Sequence, residues 1–327
     1  MAMNFWEAQR RAKSRTTLFV SIFILFTLFI ATSVEFILRN ISESNYNPTV
    51  PWVGLIFIGV TFCVSGYQYA RFQLQGGKYL AEALGAQLVD SKTTNLKDIQ
   101  LLNIVNEMAI AASLPVPPVY ILEVNDINAF AAGLGPETAI VAVTRGCLNL
   151  LSRDELQGVI AHELGHIYNG DMKISMRLGA LVMGFYIVFV LALRLLQFSP
   201  IERDDKKGPN VYLIALVLMV AGIITYFFGS ILKASVSRER EYLADACAVQ
   251  FTRNPDGIAS ALRKIASRSG SDMPKEGMAF SHIYFDDRGS LSSLFATHPP
   301  IEKRIARIEG LDYLPDEWKK DIPTKHQ

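Results

Sequence analysis

The residues of this chain best placed to do chemistry are His162, Glu163 and His166, in the run His162-Glu163-Leu164-Gly165-His166. On a helix of 3.6 residues per turn the two imidazoles lie about 40° apart and Glu163 about 100° from His162, so one face carries all three. Neutral imidazoles are good Zn²⁺ ligands, and a carboxylate beside such an ion can take the proton of a water whose pKa the ion lowers to about 7. His-Glu-x-x-His therefore reads as two metal ligands and a general base. A pair of hydrogen-bonded core histidines is the alternative, but a Glu beside them on a buried face would need partners that the neighbouring sequence does not obviously supply.

That chemistry requires a helix, and the flanking residues specify one. Ser152-Arg153-Asp154-Glu155 has the form of a capping box, and Leu156, Val159, Ile160, Leu164 and Ile167 follow at helical spacing on the adjoining side. Asn169-Gly170 supplies a stop. Upstream, Asn95 can cap a helix whose apolar positions Leu102, Val105, Met108, Ala109 and Ala112 share a face before Pro115 and Pro117 end it. Three β-prone runs follow, Val119–Val124, Ala129–Ala132 and Ala139–Thr144, the last two separated by Gly133, Gly135 and Pro136 as in a hairpin. Gly146–Leu151 reads as a short helix before the metal helix, and the whole as an α+β unit.

Composition places this unit in a membrane protein. Half of the 327 residues are apolar, and the formal net charge is +1. No basic block is interleaved with aromatics, so nucleic acid has no electrostatic footprint. Cys63, Cys147 and Cys247 are scattered, odd in number and without Cys-x-x-Cys spacing, which argues against a disulfide scaffold. Arg10, Arg11, Lys13 and Arg15 precede Thr16–Val34, about 19 uncharged residues, long enough to cross a bilayer as a helix. No Ala-x-Ala site closes this run, so a retained anchor is expected in place of a signal peptide. A second apolar run, Val50–Ala70, opens with Pro51-Trp52 and closes near Tyr67, Tyr69 and Arg71. A third occupies 178–196, with Arg194 near its end, and a fourth 211–232. If each crosses, the basic residues at their ends fall on one side, which makes the N-terminus and the metal helix cytoplasmic in a multi-pass plasma-membrane protein. The expected organisation is thus 1–70 with two spans, 71–177 as the first part of the soluble domain, 178–232 as a membrane hairpin and 233–327 as the second part.

The hairpin returns the chain to the side of the two histidines, where Arg240-Glu241-Tyr242-Leu243-Ala244-Asp245 can complete the site. A catalytic zinc needs a third protein ligand and one open position. Glu241 can fill that place while Asp245, one turn on, accepts a hydrogen bond from the free nitrogen of a liganding His; a charged, solvated face is the alternative. Glu239 falls on roughly the opposite face. Cys247 is either metal-adjacent or, as a small apolar residue, part of the packing. His298, held by Pro299-Pro300, is a candidate oxyanion donor or simply the entry to a helix over Ile301–Ile308. Asn128, Ala129, Phe130 and Ala131 form a strand whose exposed edge could take an extended substrate, or small residues that pack under the helix. Arg268–Gly277 reads as a loop over the site or an ordinary surface loop.

Taken in order, His-Glu-Leu-Gly-His, Asn169-Gly170-Asp171, two spans, Arg240–Asp245 and Thr297-His298-Pro299-Pro300-Ile301-Glu302-Lys303-Arg304-Ile305 resemble the HtpX-type membrane zinc metalloproteases. The chain is similar, more distantly, to the CAAX prenyl proteases of the same peptidase family. Asn128–Ala131 and Gly277-Met278-Ala279-Phe280 match further HtpX-like segments. The resemblance implies a gluzincin-like α+β protease domain with a small β-sheet, combined with four transmembrane helices. It implies one zinc per subunit on His162, His166 and Glu241, Glu163 as the catalytic carboxylate, and Asp171 beside Asp245 as carboxylates bracing the ligands. The implied substrates are membrane proteins or unfolded polypeptides, cleaved without nucleotide in quality control and stress response. A noncatalytic zinc scaffold is the rival, expected to close its site with a fourth Cys or His. A transporter would place ionisable groups inside the spans.

Overall fold

The structure, a computed structural model, describes residues 5–41, 46–198, 211–267 and 299–310. His298, the segments 268–277 and 277–280 and the link 199–210 lie outside them, as does the side chain of Glu239. In chain order the helices are α1 (Phe5–Ile41), α2 (Trp52–Gln75), α3 (Gly77–Ala83), α4 (Leu96–Ala111), α5 (Arg145–Leu150), α6 (Arg153–Asn169), α7 (Asp171–Phe198), α8 (Val211–Thr252), α9 (Pro255–Ser267) and α10 (Ile301–Gly310). The strands are β1 (Gln87–Leu88), β2 (Val119–Leu122), β3 (Ala129–Ala132) and β4 (Ile140–Thr144). Two compact units result, one built on Arg71–Met176 and the chain from Lys233 onward, the other on Met3–Ala70 and Arg177–Leu232.

The first unit holds a sheet in the order β1-β2-β4-β3. β2 and β4 are parallel with Val119 opposite Val141, and β3 returns antiparallel with Ala129 opposite Val143. Every residue of β2, β3 and β4 is buried, which is why these runs are continuously apolar and do not alternate. β1 was not anticipated, because two exposed residues carry no periodic signal. Leu101, Ile104 and Val105 of α4, Val141 and Val143 of β4, Val159 and Ile160 of α6, and Ile258 and Leu262 of α9 share one core.

α6 forms as its sequence requires. The Ser152 hydroxyl accepts from the Glu155 amide, and Glu155 Oε2 accepts in return from the Ser152 amide at 2.7 Å. Gly170 closes the helix at φ 72°, a left-handed conformation that costs glycine nothing and lets α7 begin at the next residue in a new direction. Two glycines admit its neighbours. A Cβ on Gly158 would lie 2.7 Å from the Ile258 amide nitrogen of α9, and one on Gly165 would lie 2.9 Å from Cys247 Cβ of α8.

In the second unit, Phe23 stacks on Phe185 at 4.5 Å between ring centres, within a core that includes Val34, Leu38 and Phe57. Among the described residues, four helical stretches are long and apolar enough to cross a membrane: Ser21–Ile41, Trp52–Gln75, Asp171–Phe198 and Val211–Gly229. The first overlaps the apolar run Thr16–Val34 and extends past the charge of Glu35 to Ile41. The helix continues because that charge is met: Arg39 Nε lies 3.2 Å from Glu35, the Tyr46 hydroxyl donates at 3.1 Å and the Gly54 amide at 3.3 Å. A buried carboxylate with such donors can lie inside an apolar helix.

Candidate metal centre

The face of α6 that carries His162 and His166 meets α8 where Gly165 allows the closest approach. Glu241 and Asp245, one turn apart on α8, are thereby brought against the two rings, which stand nearly perpendicular at 4.8 Å between centres. His162, Glu163, Glu241 and Asp245 are all buried. His162 Nε2 is 3.6 Å from Glu241 Oε2 and His166 Nε2 is 3.5 Å from Glu241 Oε1. The three donor atoms lie within 4.8 Å of one another. Ligands about 2.0–2.2 Å from a tetrahedral ion stand about 3.3–3.6 Å apart; the two histidine–carboxylate separations match this, each to a different Glu241 oxygen, and the donor set as a whole is compact enough to hold one metal ion.

The other ring nitrogens face outward to acids. His162 Nδ1 lies 2.9 Å from Asp245 Oδ1, and His166 Nδ1 lies 3.3 Å from Asp171 Oδ2. Each carboxylate fixes the ring so that Nε2 is the atom turned to the ligand centre. Each carboxylate meets an arginine in turn. Arg304 Nη2 and Nε reach the two oxygens of Asp245 at 2.7 and 2.9 Å, and Arg240 Nε lies 3.4 Å from Asp171. Burial pushes the Asp245 carboxyl up, but the charge of Arg304 and the His162 hydrogen bond more than reverse this and hold it below the usual carboxylate range. Among the described residues, four formal negative charges (Glu163, Asp171, Glu241 and Asp245) face two guanidiniums, a deficit that one divalent cation removes.

Arg304 is the site residue that sequence reasoning missed, although it stood within the quoted Thr297–Ile305 run. Its signal is positional: Arg304 falls on the stripe formed by Ile301, Ile305 and Ile308, an arginine where a buried apolar side chain is expected, and it is 1% exposed. Cys247 proves to be packing. It touches the Gly165 face, its thiol is pushed up to about 11 by burial, and it is not among the clustered donors.

The residues of the expected substrate strand are placed at the sheet edge, on β3, where Asn128, Ala129, Phe130 and Ala131 are all buried. Gly77 of α3 abuts the Ala132 carbonyl so closely that no Cβ would fit, and α6 packs across the strand.

Known proteins resemble this chain over much of its length. The model of "Peptidase family M48" matches residues 95–312. The chain is 36% identical over 320 residues to a protein named "Protease HtpX homolog" from Listeria monocytogenes serotype 4a, covering 93% of this chain and 99% of that one. It is 38% identical over 221 residues to the protein of that name from Dictyoglomus thermophilum, covering 67% and 70%. A structure titled "Crystal Structure of S. mikatae Ste24p" aligns at a TM-score of 0.49 and 16% identity, over 88% of this chain and 67% of that one. A family match running from the cap of α4 to just past α10, with a relative aligned over nearly the whole of both chains, makes this chain a member of peptidase family M48, an HtpX-like membrane metalloprotease.

Proposed function

We propose that the metal is zinc, one per chain, held by His162, His166 and Glu241, and that Glu163 is the general base. The observation that carries this reading is the meeting of two distant segments: donors from α6 and α8 converge within 4.8 Å, and Glu163 follows His162 directly on the metal helix. Bound there, zinc would polarise a peptide carbonyl and acidify the attacking water. Glu163, buried at 2% exposure beside the ligands, takes the proton of that water and then delivers it to the amine of the leaving segment. Asp245 and Asp171 keep the imidazoles oriented throughout. His298 is the second donor to the developing oxyanion.

Substrates are membrane proteins and misfolded polypeptides, cut internally without nucleotide, which suits quality control and a stress response. The active site is cytoplasmic, on the side where the basic residues flanking the spans gather. Incubation of the purified protein with an unfolded membrane protein tests the reading. Cleavage should stop on chelation and return with added zinc. Glu163→Gln should keep a full complement of zinc and lose about 10²–10⁴-fold in rate. Unchanged cleavage by Glu163→Gln would sink the base assignment, and absence of cleavage by the wild-type protein loaded with zinc would favour a noncatalytic scaffold.

A further inference from the structure

We propose that Arg304 is a positioning residue for the metal site, acting through Asp245: its forked contact locks the Asp245 carboxylate, which in turn locks the His162 ring. The inference rests on the zinc reading above and extends it to a third segment of chain, helix α10, on which no metal ligand lies.

The geometry is specific to arginine. Nη2 lies 2.7 Å from Asp245 Oδ1 and Nε 2.9 Å from Oδ2, so one planar group occupies both carboxylate oxygens. Oδ1 is also the oxygen that faces His162 Nδ1 at 2.9 Å. A carboxylate held at both oxygens cannot turn about its bond to Cβ, and the imidazole bonded to it stays aimed. Arg304 approaches the ligands themselves only at longer range, Nη2 at 3.5 Å from His162 Nδ1, which already faces Asp245, and Nη1 at 3.7 Å from Glu241 Oε2. Arg304 is 1% exposed, Asp245 fully buried, and a guanidinium so deeply placed must be paired to persist. The corresponding chain on the other ligand is looser: Arg240 approaches Asp171 at 3.4 Å and Asp171 approaches His166 at 3.3 Å.

A charge argument alone gives the opposite expectation, which makes the proposal testable. Arg304 is a cation beside a cation site, so removing its charge should tighten zinc binding if charge were all that mattered. Removing the fork should weaken it. The experiment uses the full chain in detergent, with zinc titrated in competition with a chromophoric chelator and folding followed by thermal unfolding of the metal-free protein. Arg304→Gln and Arg304→Lys, the second keeping the charge without the fork, should each weaken zinc binding about 10–100-fold. Asp245→Asn should do the same, and adding Arg304→Lys to it should cost little more, because the two residues act as one unit.

Zinc binding by Arg304→Gln as tight as wild type or tighter overturns the proposal, and so do losses that multiply in the double variant. Loss of the fold in both Arg304 variants also overturns it, by assigning the residue to stability alone. A wild-type protein that takes up no zinc would strike the metal reading itself, a result separable from wild-type uptake with unaffected variants.

Discussion

At the scale of single residues, the site depends on carboxylates whose partners are all internal. Glu155 shows this at the entry to the metal helix, away from the metal. Its Oε2 accepts from the Ser152 amide at 2.7 Å and from Lys264 Nζ at 2.6 Å, while Oε1 accepts from the Ser260 hydroxyl at 2.7 Å. Burial pushes this carboxyl up, but Lys264, Ser260 and the Ser152 amide together bring it below its ordinary value. A carboxyl depressed in the folded state contributes stability above its unfolded pKa, near 4.3, and loses that contribution as pH falls through the folded value. Glu155→Gln should therefore lower stability by about 1–2 kcal/mol at pH 7. Thermal unfolding of the two proteins across pH checks this: the gap between them should begin to narrow as pH falls below the unfolded value of about 4.3 and go on narrowing through the lower folded value, and a gap that does not narrow at all on acidification would refute the linkage.

At the scale of elements, the site is a matter of how closely α8 approaches α6. Gly165 is one of the two variable positions of the His-Glu-x-x-His run, so the motif does not require glycine there. The packing does: a Cβ would meet Cys247 Cβ at 2.9 Å and the Ala244 backbone at 3.2 Å. Gly165→Ala must displace the turn of α8 that lies between Glu241 and Cys247. It should cost about 1–3 kcal/mol and weaken zinc binding, read by chelator competition, although no ligand has been altered. Retention of wild-type affinity by a folded Gly165→Ala protein would show that the approach of α8 is not what sets Glu241 in place.

At the scale of the whole molecule, the membrane unit has its own buried polar anchor. Glu35 is 6% exposed within the stretch Ser21–Ile41. It ties α1 to the segment ahead of α2 through Arg39, Tyr46 and Gly54, and Arg39 Nη2 donates to the Pro48 carbonyl at 3.0 Å. Removing the carboxylate leaves the Tyr46 hydroxyl and a guanidinium short of an acceptor. Glu35→Ala should destabilise the membrane unit by about 1–3 kcal/mol, measured by unfolding in a denaturing detergent. An unchanged unfolding midpoint would mean that the cluster is incidental.

Much of this arrangement was legible in local spacing. The capping box, the Asn95 cap, the β3–β4 hairpin and the His-Glu-x-x-His face involve residues a few positions apart, where helix and turn geometry alone determine who is neighbour to whom. Other features left no such trace. β1 is too short to show a period, and Glu35 reads as a charge that ends the apolar run until Tyr46 and Gly54 are seen around it. The His-Glu-x-x-His face of α6, the apolar runs and the one-turn spacing of Glu241 and Asp245 could all be read from local spacing. The burial of β3, the packing of Cys247 against α6 and the seat of Arg304 against Asp245, 59 positions away in the chain, emerged only with the fold. Contacts of that kind are made by the packing of α6, α8, α9 and α10, and no spacing within a single helix encodes them.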